Sequence, residues 1–136
     1  MNKYIRLHNS DNNESIIINM DDVCAISTKV SGGRMLSKII LAANCNISPF
    51  TVNETPELII KSDNPEFILL HEFETNYVFI VRKNIIAVVD TVKNNGKSIK
   101  SCVYFDDSCD LKPMAFHENP DKIYANLVGI ENEPKK

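Results

Sequence analysis

The sequence predicts an α+β protein, mainly antiparallel sheet, made of two tandem β-meanders that each end in a helix and pack with pseudo-twofold symmetry. Three observations carry that expectation. The chain matches itself when slid by 62 to 64 residues. Its apolar residues fall in short runs rich in Ile, Val, Tyr and Phe, bounded by polar turns, which suits strands. Thr55-Pro56-Glu57 and Asn119-Pro120-Asp121 recur at the same offset with the chemistry of a helix start.

The elements follow in order, each read twice. Tyr4-Ile5-Arg6-Leu7-His8 falls on Phe67-Ile68-Leu69-Leu70-His71, two short β runs. Residues 15–20 and 77–82 supply a second strand, and Asp21-Asp22 and Lys83-Asn84 mark a tight polar turn. Residues 23–30 and 85–92 are the third strand, with INMDDVCAIS over Ile18 to Ser27 matching IVRKNIIAVV over Ile80 to Val89. Ser31-Gly32-Gly33 and Asn94-Asn95-Gly96 predict hairpins, because glycine and asparagine accept the positive φ of a two-residue turn. Residues 36–43 and 99–105 return as partners, and Phe50 to Val52 and Met114 to Phe116 add a last extended piece.

The helices come next. Proline at the first helical position loses no needed N–H, and Glu57 and Asp121 meet the positive end of the helix dipole, with Thr55 and Asn119 as caps. The first helix stops before Pro65; the second is expected from Pro120 to Leu127, with Gly129 at C′. The expected organisation is a first repeat over 1–65, a second over 66–130, and a charged, disordered tail over 131–136.

The 136 residues suffice for a real core, and 43% hydrophobic with 24% charged residues is ordinary for a globular domain. Net charge is −3, with six basic and seven acidic residues over 1–65 and nine and eleven over 66–136. Neither half carries a basic field toward nucleic acid or an anionic membrane. The start of the chain has no apolar run resembling a signal peptide, and no apolar stretch approaches a bilayer span. The expectation is a cytoplasmic protein with free thiols and no membrane association. The abundance of Asn, Lys and Ile suggests a bacterial or phage source.

One family resemblance follows from this pattern. Ile5, Leu7, Ile18, Asn19, Asp22, Val23, Ile26, Ile39, Leu41 and Val52, with Glu54, Pro56 and Glu57 opening a helix, resemble the single-unit proteins of the flagellar and swarming-motility family. The resemblance implies the shape of the unit. The chain departs from it in holding two units and in reading His117-Glu118-Asn119-Pro120-Asp121 in the second.

The chemistry-bearing residues are weighed against plain structural roles. Cys45 and Cys109 are repeat equivalents that could meet near a twofold axis, but no Cys-x-x-Cys spacing exists, and matching semi-buried thiols are the simpler reading. Cys24 and Cys102 read as core. His8, His71 and His117 lack the close pairing of zinc ligands and read as strand-end or surface residues. Asp106-Asp107-Ser108-Cys109-Asp110 lacks the glycine and terminal glutamate of a calcium loop and reads as a solvated turn. No phosphate-binding glycine loop and no catalytic signature occurs, so no catalytic, cofactor or metal residue is assigned.

The expected function is a non-enzymatic binding or adaptor protein acting through a protein–protein interface on the duplicated sheet unit. Homo-oligomers are compatible with it. Single-stranded nucleic-acid binding is the alternative, through Arg34, Lys38, Lys97 and Lys100 at the hairpin tips with Tyr104 on the sheet face. Tyr4, Tyr77, Phe79, Arg6 and Arg82 would support it; the negative charge and the absence of tryptophan oppose it. Sequestration of a small ligand between repeats, or an uncharacterised small enzyme, completes the set.

Overall fold

A computed structural model describes residues 4–42, 49–60, 64, 66–72, 76–90, 100–109 and 111–132, without the side chains of 108 and 129–132. The first half runs β1 (Tyr4–His8), β2 (Ser15–Asn19), a 3-10 turn over Met20–Asp22, β3 (Val23–Ser31), β4 (Arg34–Leu41), β5 (Phe50–Val52) and α1 (Pro56–Ile59). The second half runs β6 (Phe67–His71), β7 (Tyr77–Val81), a 3-10 turn over Arg82–Asn84, β8 (Ile85–Asp90), β9 (Ser101–Phe105), a 3-10 turn over Asp107–Cys109, β10 (Met114–Phe116) and α2 (Pro120–Asn132). The protein is α+β and mostly antiparallel sheet, as its β-branched and aromatic runs require.

Among the described residues three sheets form: β1-β2, β5-β4-β3-β7-β6 and β10-β9-β8. The five-stranded sheet is a joint product of both halves, because β3 pairs with β7 through Ala25↔Ile80, Ile26↔Phe79 and Ser27↔Val78. Side-chain alternation then divides the core in two. On one face Ile26, Ile39, Val52, Phe67, Phe79 and Val81 pack with Leu7 and Ile18 of the β1-β2 hairpin and with Ile59 of α1. On the other, Cys24, Ala25, Ile68, Leu70, Val78 and Ile80 pack with Val103 and Phe105 of β9, Phe116 of β10 and Ile123 of α2. The central sheet therefore lies between the β1-β2 hairpin and the β8-β9-β10 sheet. Burial on both faces explains the unbroken apolar run Val78 to Val81, which a sheet with one wet face would interrupt with polar residues.

Local chemistry fixes the turns. Gly32 and Gly33 have φ of 58° and 80°, the two positive values that a type I′ hairpin between β3 and β4 demands. Asn19 accepts the Asp21 N–H on its side chain at 3.0 Å and so starts the first 3-10 turn. Register shifts between Val23 and Ala25 and between Ile85 and Ala87 mark bulges where β3 and β8 leave these turns.

Three sequence expectations need correction. Thr55 makes no side-chain cap on α1, which is four residues long, whereas Asn119 does cap α2 by accepting the Lys122 N–H at 2.8 Å. The second helix does not stop at Leu127; it continues through Gly129 to Asn132. A glycine inside a helix costs only about 1 kcal/mol, and the next proline is Pro134. Finally, a twofold between halves would make a β2·β8 ladder to match β3·β7. Among the described residues β2 pairs only with β1 and β8 only with β9, so the pseudo-twofold is not borne out.

Because both cores share the central sheet, we expect one cooperative unfolding transition. Leu7→Ala and Phe116→Ala, in opposite cores, should each lower the unfolding free energy by about 2–5 kcal/mol. Urea titrations followed by circular dichroism and by tyrosine fluorescence should stay superimposable in both variants.

Candidate functional site

Two side-chain clasps tie the strand ends to the helix starts. The His8 N–H donates to Glu54 Oε1 at 3.0 Å, and His8 Nδ1 lies 2.7 Å from Glu54 Oε2. The His71 N–H donates to Glu118 Oε1 at 3.0 Å, and Nδ1 lies 2.7 Å from Oε2. The surroundings match as well. Ser37 Oγ donates to the Glu54 carbonyl at 2.6 Å, and Ser101 Oγ to the Glu118 carbonyl at 2.5 Å. The Asn53 N–H reaches the His8 carbonyl and the His117 N–H the His71 carbonyl, each at 2.8 Å.

Burial acts to raise both carboxyl groups, and the hydrogen bonds and charge of the histidine more than offset it, so Glu54 and Glu118 lie below the usual carboxylate range. An ionised carboxylate only accepts, so each histidine presents Nδ1–H to its glutamate. These are structural fasteners with both carboxylate oxygens engaged. Neither holds a nucleophile beside a base.

The seam between halves is the other concentration of polar chemistry. Thr28 Oγ1 donates to the Tyr77 carbonyl and accepts the Tyr77 N–H, both at 3.3 Å, which extends the β3·β7 ladder by a side chain. The Tyr77 hydroxyl donates to Glu57 of α1. Burial, then the hydrogen bond to and charge of Glu57, hold that hydroxyl protonated well above the usual tyrosine range. Asn84 Nδ2 donates to Cys24 Sγ at 3.7 Å in the interior. Beside the ladder, Met20, Asp21 and Val23 of the first half and Glu66, Val81, Arg82 and Lys83 of the second line a shallow cavity of about 200 Å³. Its lining mixes apolar Met20, Val23 and Val81 with Asp21, Glu66, Arg82 and Lys83 of both charges.

The residues singled out for nucleic acid are spread over two sheets. Arg34 and Lys38 lie on β4, where Arg34 donates to Asn53 Oδ1 at 3.1 Å and Lys38 is exposed opposite Ser27 and Thr51. Tyr104 is a partly exposed residue of β9 opposite Ala87, and exposed Lys100 gives its N–H to the Phe116 carbonyl at 2.9 Å. Lys97 and the Asn94-Asn95-Gly96 turn lie outside the described residues. Cys45 does too, so its approach to Cys109 is not described; Cys109 itself is fully buried in the second core. Cys24 is core as expected, and Cys102 is half-buried. The Asp106 N–H donates to the Asn84 carbonyl at 2.8 Å, and the Asp106 carbonyl accepts the Cys109 N–H at 3.1 Å. Among the described residues no group of three or more His, Cys, Asp or Glu converges as metal ligands, and no helix is long and apolar enough to cross a membrane.

The clasps were hidden from sequence reasoning that treated His8, His71, Glu54 and Glu118 one at a time. Their signal was the nearly equal separation, 46 residues in one pair and 47 in the other. No protein-family model, curated protein or solved structure matches the chain.

Replacing Glu118 by Gln puts an amide donor against a histidine donor and should cost about 1–3 kcal/mol. Glu54→Gln should cost less, since the Glu54 side chain is 21% exposed against 9% for Glu118. Both glutamates titrate lower in the folded chain than in the unfolded one, where the ordinary value is 4.5. Their stabilisation is therefore complete above that value and is lost as pH falls through the lowered folded range. Urea midpoints measured from neutral to acid pH should show this loss in the wild type and a shallower one in the Glu54→Gln/Glu118→Gln double variant.

Proposed function

We propose that this chain is a non-enzymatic protein-binding or adaptor module built from a duplicated sheet unit, acting in the cytoplasm. The duplication is supported by the repeated strand order and by the two clasps, which match in donors, acceptors and distances. The likeness to the flagellar and swarming-motility family is carried forward for the shape of that unit alone.

The observation that carries the binding function is a pair of apolar strand edges. Ile16-Ile17-Ile18 of β2 and Ile85-Ile86-Ala87-Val88-Val89 of β8 each have a ladder on one side only among the described residues. Natural proteins usually blunt such edges with charge, proline or a covering element, because open N–H and C=O groups beside apolar side chains recruit another strand. Binding by strand addition uses this arrangement: main-chain hydrogen bonds give affinity and alternate side chains give selectivity.

The experiment is capture on the tagged chain, with bound material identified as protein or nucleic acid. Enrichment of a protein by the wild type, lost when Ile17 or Ile86 is changed to Arg, is the expected result. Co-purification of nucleic acid without protein, with single-strand affinity falling steeply as salt rises, would replace this reading by the nucleic-acid one.

A further inference from the structure

We infer that the partner of these two edges is a second copy of the chain, added head to tail so that β8 of one copy pairs with β2 of the next. The inference rests on the duplicated-unit reading above and names the occupant of its edges.

The template for this contact already exists inside the molecule. At an offset of 62 residues β3 corresponds to β8, and β2 to β7. Among the described residues the chain makes one of the two cross-unit ladders, β3·β7, and the counterparts of both strands, β8 and β2, each have a ladder on one side only. Transferring the observed register predicts Ala87↔Ile18, Val88↔Ile17 and Val89↔Ile16. The Thr28–Tyr77 side-chain bond carries over in kind, with the Asp90 carboxylate placed to accept the Ser15 N–H.

Burial at equivalent positions differs in the way an unfilled contact requires. Phe79 is 6% exposed in the made ladder, and its counterpart Ile17 is 59% exposed. Cys24 is 2% exposed, and its counterpart Ile86 is 65% exposed. Phe67 is buried where its counterpart Tyr4 is exposed, and Ala25 is buried where Ala87 is exposed. Large apolar side chains stand at the open positions, although water covers them in the single chain. The side chains chosen for these strands fit the covered state.

The order of layers points to the kind of assembly. β1-β2 lies on one face of the central sheet and β8-β9-β10 on the other, and among the described residues β8 does not pair with β2 of its own chain. Both edges of a copy are used by different neighbours. Such a heterologous contact propagates until it closes into a ring or continues as a filament.

Sedimentation velocity across a wide concentration range tests this directly. The wild type should exceed the mass of two chains as concentration rises, and amide exchange at residues 16–18 and 86–89 should slow in parallel. Ile17→Arg and Ile86→Arg alter side chains that are exposed in the single chain, so both variants should keep the wild-type urea midpoint and remain monomeric alone. Mixed together, they should form pairs of one chain of each kind and nothing larger, since each supplies the one intact edge that the other lacks. A wild type that stays monomeric, assembly that stops at two chains, or arginine variants that assemble normally would each overturn the inference. If the monomeric wild type nevertheless captures a foreign protein through Ile17 or Ile86, the self-assembly fails while the protein-binding function stands. If copies assemble and no foreign protein is captured, the self-assembly stands and the adaptor function fails.

Discussion

Everything in this molecule depends on the antiparallel pairing of β3 with β7. Three residue pairs hold it in register, and that register decides which core each side chain enters. Ile26 and Phe79 face the β1-β2 hairpin, while Ala25, Val78 and Ile80 face β8-β9-β10. A slip of one residue would send each to the opposite face and empty both cores at once. Thr28, with its hydroxyl between the amide and carbonyl of Tyr77, lengthens the ladder without another strand residue. Asn84 and Cys24 mark its far end from within the interior.

The histidine–glutamate clasps solve a different problem. A three-stranded meander with a hairpin folded over it has little to stop the hairpin from swinging away. Each clasp fastens the last residue of β1 or β6 to a glutamate two residues before the helix, and the carbonyls of the two histidines accept N–H groups from the chain following β5 and β10. A carboxylate with two donors and little water around it is a costly group to leave unpaired, so the geometry is strongly specified.

The strands were legible because β-branched and aromatic runs, punctuated by Asp-Asp, Lys-Asn and Gly-Gly, say the same thing twice. Residues 4–8, 67–71, 50–52 and 114–116 are strands at the bounds expected from sequence. The end of the second helix was misread because Gly129 looks like a cap, although nothing before Pro134 forces a stop. The clasps and the seam were not legible, since partners 46 to 60 residues apart leave no local period. Cys24 was readable as core, but that it and Ala25 enter the core shared with β9, β10 and α2 was hidden: a strand covered on both sides differs from one covered on a single side only once its neighbours are known. The basic residues were readable as types but not as a surface, because β4 and β9 belong to different sheets.

The shared sheet also sets the order in which the chain can complete itself during synthesis. The first core contains Phe67, Phe79 and Val81, so residues 4–60 leave the ribosome without the side chains that finish their own packing. Until β7 is made, β3 presents an apolar edge much like that of β8, which pairs only with β9 among the described residues. The nascent first half therefore stays open to capture by a chaperone or by a neighbouring nascent chain until residues 67–81 have left the ribosome.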